Sequence, residues 1–316
     1  MSQIIQSTAA GLAAPSAPAA PSAPSASSAP RGSAPRRRGG GDPNRVLLWI
    51  GEHTLLTVLA LLFLAPIVFV FLTSVMPNAQ ALTASLWPSH WAWGNYARVF
   101  DMAPIGAWFA NSLMYAALAT AFMLLSSIPA AYALAKIRFR GSQVIFTCLI
   151  IAMLLPPQVV TIPQYVMWSK IHLTGTLWPL ILPNLLGDAY SIFLLRQFFL
   201  TIPTDYIEAA RLDGASEVGI ITRVIVPMSR SGIAAAGMFL FFACWNDYYG
   251  PLLYTSESAE TAWPVALGLA SFKGAHSVDW SSTMALTMLV MVPVVTLFFF
   301  AQKAFVEGIQ LTGVKG

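Results

Sequence analysis

Residues 205–217 read DYIEAARLDGASE. The stretch is acidic, alanine-rich and closed by glycine, yet strongly apolar runs lie on both sides of it. Pro203 prevents the preceding helix from continuing smoothly. Asp205 is placed to cap a new helix, and Glu208 follows three residues later, the spacing of a capping box. Negative charge also suits a helix N-terminus. Tyr206, Ala209, Ala210 and Asp213 share one face at helical spacing, and the two alanines let another backbone come close. Gly214 suits the left-handed position just past a helix C-terminus. Ser216 is placed to cap a second helix through EVGIITRVIV (217–226), which Pro227 closes. Two short helices joined at a glycine and lying on a membrane face are therefore expected. They serve either as a knob for a cleft in a soluble partner or as a plain amphipathic interfacial loop.

The rest of the sequence says which phase this stretch interrupts. Of 316 residues, 57% are hydrophobic and only 9% charged. A soluble domain carries about 25% charged residues, so the chain is read as an all-α polytopic membrane protein. Its spanning helices must satisfy their backbone groups internally. Six spans are expected, at about 48–75, 105–134, 144–166, 177–199, 232–249 and 282–301. Pro66, Pro129, Pro156 and Pro293 fall inside them and mark kinks that neighbouring helices make tolerable. The third span, with Pro156, Pro157 and Pro163, is expected to bend or break near its outer end. With the N-terminus inside, the internal segments hold fourteen Lys and Arg and the external ones three. That asymmetry sets the orientation. Both termini are then cytosolic, and 205–217 belongs to the longest internal loop, about 200–231.

Residues 1–45 are Ala/Pro/Ser-rich and end in basic residues, a composition expected to be disordered. Their start lacks the basic and apolar regions of a signal peptide. Arg36, Arg37 and Arg38 suit a tether to anionic lipid or a simple topology signal. Residues 46–304 form the transmembrane domain, and 305–316 a cytosolic tail too polar to be more membrane. Cys148 and Cys244 lie in apolar runs without CxxC spacing, so they read as small membrane-buried side chains.

EAARLDGASEVGIITRVIVP (208–227) resembles the EAA motif of binding-protein-dependent ABC importers. Glu208, Ala209, Ala210 and Gly214 match it, with Val224, Val226 and Pro227 where the family has I-x-L-P. LLRQFFLTIP (194–203), WNDYYGPL (245–252) and the closing GVKG (313–316) are similar to carbohydrate-type permeases, the shorter maltose-type subunit above all. PMSRSG (227–232) departs from the family, which often has a second proline near Ser231. The resemblance implies that 200–231 is a coupling loop docking into a groove on a cytosolic ATPase. Glu208, Ala209, Ala210, Asp213, Gly214 and Pro227 would carry the contact, with Glu208 paired to a basic residue. The tail Gly313, Val314, Lys315 and Gly316 would reach the ATPase dimer interface, unless it is a frayed end. Implied partners are a second permease, two ATPase subunits and an extracellular or periplasmic sugar-binding protein. Membrane lipid is expected as a partner and nucleic acid is not. The location implied is a bacterial cytoplasmic membrane, and the function inward movement of a sugar or related carbohydrate, with glycerol phosphate the alternative solute.

Trp245, Asn246 and Asp247 lie at the outer end of the fifth span, and Asn111, Tyr115, Asn184, Asp188 and Tyr190 are polar or aromatic positions in the second and fourth. Polar groups at membrane depth are functional candidates, here for lining a sugar path. Helix–helix hydrogen bonds explain them equally well. An ion-coupled secondary transporter would need midplane carboxylates, and Asp188 is the sole candidate. There is no G-x-x-x-x-G-K-[ST] loop to cradle ATP, no HExxH, no G-x-S-x-G, and His53, His90, His172 and His276 are scattered. No catalytic site, metal site or cofactor is expected, so ATP hydrolysis must come from another subunit.

Overall fold

The computed structural model describes residues 43–81, 83, 85–272 and 279–313. The expectations for the tail before residue 43 and for Val314, Lys315 and Gly316 lie outside the described residues. The chain divides into two units, Met1–Thr57 and Val58–Gly316. The described part of the first is the opening of helix α1 (Pro43–Ser74). There the Trp49 and His53 rings meet with centroids 4.0 Å apart.

In the second unit the remainder of α1 is followed by α2 (Asn95–Met102), α3 (Ile105–Lys136), α4 (Ser142–Leu154), α5 (Pro157–Lys170) and α6 (Trp178–Ile181). A 3₁₀ turn (Leu182–Leu186) leads to α7 (Ala189–Thr201), α8 (Thr204–Leu212) and α9 (Glu217–Ile220). A π turn (Ile221–Ile225) then leads to α10 (Val226–Met228), α11 (Arg230–Trp245), α12 (Tyr249–Thr255), α13 (Val265–Ser271) and α14 (Trp280–Gly313). The described residues contain no strand.

Among the described residues, four helical segments are long and apolar enough to cross a membrane: Leu47–Ser74, Ile105–Lys136, Trp178–Thr201 and Trp280–Phe300. Two bent pairs raise the number to six if each is one span. The first pair, α4 with α5, turns by 95°. Its break falls at Leu155 and Pro156, in the middle of the expected third span rather than near its outer end. Proline blocks continuation of α4 and then starts α5. The second pair, Glu217–Met228 with α11, turns by 85°. By itself α11 has 16 residues, about 24 Å of helix, against a hydrocarbon core of about 30 Å. By contrast, α1, α3 and α14 run through Pro66, Pro129 and Pro293 without a break. The final helix also continues past residue 305 to Gly313.

The packing is organised along α3, which lies against α7 and α11, while α11 lies against α14. One end of α3 enters a cluster of Ile105, Trp108, Val99, Trp245, Val265 and Leu286. Its middle packs Tyr115, Ala116 and Ala119 against Leu177, Ile181 and Cys244. Its other end packs Ala131 and Tyr132 against Leu195, Phe199, Ile207, Ile220 and Ile225. Small residues permit these close approaches, as they do in other membrane bundles. Gly268 of α13 lies so close to the Trp108 ring that an added Cβ would collide with it. Gly268→Val is therefore expected to force out a fully buried tryptophan and cost about 1–3 kcal/mol. A lowered Tm of the detergent-purified protein, followed by tryptophan fluorescence, checks this; an unchanged Tm would show that Trp108 yields freely.

Candidate functional site

Residues 204–228 form the segment the sequence singles out. Helix α8 ends in a Schellman motif. Ala215 donates its N–H to the Ala210 carbonyl at 2.9 Å and Gly214 donates to Arg211 at 3.0 Å. Gly214 has φ +79°, and an added Cβ there would meet nothing within 4 Å. The requirement for glycine is therefore one of backbone conformation, not of space. Ser216 caps α9 as expected, its Oγ accepting the Gly219 N–H at 3.2 Å.

Two local expectations are corrected. Helix α8 begins at Thr204 with Pro203 at the cap position and no side-chain cap. Asp205 thus sits inside the first turn, where its charge still suits the dipole, and no capping box forms with Glu208. The φ and ψ of Pro203, −58° and 138°, already aim the chain into the helix. Pro227 does not close the second helix, which remains helical to Met228. Proline lacks an N–H, and the turn before it widens so that Val226 donates to Ile221. Such π turns cluster at functional sites.

The segment has an anchored side and a free side. Ile207, Ile220 and Ile225 are buried in the cluster at the end of α3 and α7, with Ala210 and Ala215 against the same cluster. Lys136 at the end of α3 donates to the Ile202 carbonyl. Glu217 joins three elements: its Oε1 accepts from Arg211 Nε at 2.9 Å and its Oε2 from the Tyr132 hydroxyl at 2.6 Å. Those two donors hold the Glu217 carboxyl below its usual range, the Arg211 bond first. A depressed carboxylate contributes its stabilisation above the ordinary carboxylate pKa, about 4.3, and loses it as pH falls through the lowered value. The free side presents Glu208, Ala209, Asp213 and Gly214, all exposed. Around them lie Tyr206, 55% exposed, Val218 at 70% and Leu212 at 89%.

The other candidates divide. Tyr115 and Asp247 come together, the Tyr115 hydroxyl donating to Asp247 Oδ2 at 2.9 Å, while Asp247 Oδ1 accepts the Gly250 N–H. Asn111 donates to the carbonyls of Thr261 and Trp263, so it fastens α3 to the loop before α13. Trp245 is buried against Phe109 and Phe241, and Asn246 bonds back to Phe242. In the fourth span, Asn184 lies within the 3₁₀ turn and bonds to Leu180 and Ile181. Asp188 then caps α7, accepting the Ser191 N–H at 2.7 Å, and Tyr190 remains 44% exposed with its ring against Phe239. Sequence reasoning missed Glu217, Arg211 and Tyr132 as a linked set. The signal available was an acidic residue at the start of α9 six positions after an arginine; the tyrosine lies 85 positions away.

Comparison with known proteins places the chain among transport components. Residues 123–310 match the family described as binding-protein-dependent transport system inner membrane component. The chain is similar to the osmoprotective compounds uptake permease protein GgtD of Synechocystis, with 32% identity over 83% of this chain and 91% of that protein. It is 29% identical to the arabinooligosaccharides transport system permease protein AraQ of Bacillus subtilis, over 82% of this chain and 93% of that one. It is 30% identical to the sn-glycerol-3-phosphate transport system permease protein UgpE of Yersinia pestis, over 84% and 97%. Its fold is similar to a chain of a bacterial ABC transporter involved in import of the acidic polysaccharide alginate. The TM-score is 0.71 at 23% identity, over 84% of this chain and 98% of that chain.

The anchored side generates a prediction. Glu217→Ala removes its bonds to Arg211 in the loop and to Tyr132 of α3 without touching the buried isoleucines. Amide hydrogen exchange across 204–225 is expected to accelerate, with α14 unchanged. Equal exchange in the variant and the unaltered protein would show that apolar burial alone holds the loop.

Proposed function

Since the chain belongs to the family of binding-protein-dependent transport system inner membrane components, we propose that residues 200–231 are its coupling loop and that the free side of α8 docks into a cytosolic ATPase subunit. The chain is a multi-pass membrane protein and a permease subunit of an ABC importer, working in a complex with ATPase and binding-protein partners. The coupling assignment rests on one observation above all. Ile207 of α8 is 2% exposed while Leu212 is 89% exposed, so a polar-flanked apolar knob stands out from a firmly seated base. A soluble partner supplies the cover that such a knob lacks.

In this reading Glu208 pairs with a basic residue of the ATPase and exposed Ala209 admits close backbone approach, while Ala210 faces the buried base instead. Nucleotide-driven closure of two ATPase subunits draws this loop toward that of a second permease and opens the spans outward. The binding protein delivers solute, and hydrolysis returns the cavity inward. Both termini are cytosolic, α4 with α5 forms one of six spans and α11 lies in another, and Gly313–Gly316 reaches toward the ATPases. The solute path runs along the break in the fourth span, with Asn184, Asp188 and Tyr190, and past the Tyr115–Asp247 pair. Asn111 and Trp245 hold the helices around it, and Asn246 closes the end of α11. The solute is a carbohydrate, a class supported by the arabinooligosaccharide relative; the glycerol-3-phosphate relative supports a phosphorylated polyol as the second reading.

Gly214→Val tests the proposal. A β-branched residue at φ +79° costs about 1–3 kcal/mol, enough to disturb the Schellman turn, while membrane insertion depends on apolar spans that are untouched. Uptake is expected to fall at normal membrane abundance, with ATP hydrolysis of the purified assembly no longer stimulated by binding protein. Glu208→Ala is expected to act in the same direction and more mildly. Full uptake in Gly214→Val at normal abundance would reduce the segment to an ordinary surface loop.

A further inference from the structure

Beside the docking face lies a cleft with a different character. It has a volume of about 450 Å³ and is lined by Lys136, Arg138, Thr204, Ile207, Glu208 and Arg211. We infer that this cleft, between α8 and the turn after α3, binds the phosphodiester group of an anionic membrane lipid and that the lipid braces the coupling loop against the span.

Charge is the first argument. Three cations line the cleft with one carboxylate, Glu208, and Arg211 is already paired with Glu217, so an uncompensated positive charge of one remains. A phosphodiester with one negative charge is attracted to that excess, whereas a polyphosphate would press several like charges against Glu208. Donor capacity is the second. Lys136 gives one of its three hydrogens to the Ile202 carbonyl, Arg211 uses Nε on Glu217, and Arg138 is in no ion pair among the described residues. Arginine forks match phosphate oxygens in geometry as well as charge. Position is the third. Lys136 is the last residue of an apolar span, which places the cleft at the level where headgroups lie. Immediately after the turn, α4 has no buried residue and leaves Val144 66% and Ile145 48% exposed. An acyl chain lies along that surface while its phosphate enters the cleft. Because the cleft is walled by α3 on one side and α8 on the other, an occupant touches both the span and the coupling helix.

The inference rests on the proposed placement of this turn at the inner membrane surface. Its test reads lipid binding to the purified chain, and so fails or holds independently of ATP coupling. The full-length protein in neutral detergent is titrated with phosphatidylglycerol, with phosphatidylcholine and with inorganic phosphate, and binding is read from the rise in Tm. Phosphatidylglycerol is expected to raise Tm in a saturable, salt-sensitive way, and the other two are not. Arg138→Gln is expected to weaken the phosphatidylglycerol response about fivefold, the effect of one basic residue near an anionic surface. Arg138→Lys should retain most of the response, and Arg140→Gln, a neighbouring cation outside the cleft lining, should leave it unchanged. Three results would overturn the inference. One is an equal response to inorganic phosphate, which would make the cleft a free-anion site. Another is equal weakening in Arg138→Gln and Arg140→Gln, which would mean diffuse surface attraction. The third is no response to phosphatidylglycerol.

Discussion

A short helix at a membrane surface can deliver force only if one side is fixed to the spans while the other is left for a partner. Ile207, Ile220 and Ile225 supply the fixing, because each is withdrawn from solvent into the cluster around Tyr132, Leu195 and Phe199. Burying a side chain of this size is worth about 1.5–3 kcal/mol. The Arg211–Glu217 pair is half exposed, at 42% and 48%, and exposed pairs contribute little net energy. Glu217 matters for a different reason. It has two oxygens and gives one to the loop and one to α3, which fixes the angle at which the loop sits on the span. Apolar burial sets how firmly the knob is held; the carboxylate sets its direction.

The same base explains how a displacement at the loop can travel. Helix α3 is 32 residues long, about 48 Å, and takes part in all three apolar clusters. Tyr132 lies at one end beside the loop. Tyr115 in the middle bonds Asp247, and Trp108 at the other end donates to the Glu260 carbonyl at 2.8 Å. In the proposed cycle the rod therefore carries motion from the ATPase side past the solute path to the outer loops. The breaks at Pro156 and Gly187, with φ +92° at the glycine, lie in other spans, where the backbone can change direction without interrupting that rod.

What the sequence revealed was governed by how local the chemistry is. The left-handed Gly214 and the Ser216 cap were legible because each acts within a few residues of itself. Apolar length alone marked the spans, but the 95° turn at Pro156 depends on which neighbours receive the freed backbone groups, and the sequence does not display them. Asp205 was misplaced because Pro203 and Asp205 both signal a helix start, and the backbone of proline took precedence. Pro227 read as a terminator because a π turn has no sequence rule comparable to that of a cap. The bonds of Asn111 to carbonyls 150 and 152 positions away and of Tyr132 to Glu217 were not legible at all, since only the packed bundle brings these partners together.

The central claim is that the free side of α8 meets an ATPase. The most direct measurement replaces exposed Ala209 with cysteine in a chain lacking Cys148 and Cys244, the two native thiols. A short thiol cross-linker is then applied to inverted membrane vesicles, and the product is identified by mass spectrometry. A cross-link to a nucleotide-binding subunit is expected, with a yield that changes when ATP is added, and no reaction when an impermeant thiol reagent is applied to intact cells. Labelling of this cysteine from outside intact cells, or cross-links to membrane components alone, would contradict it.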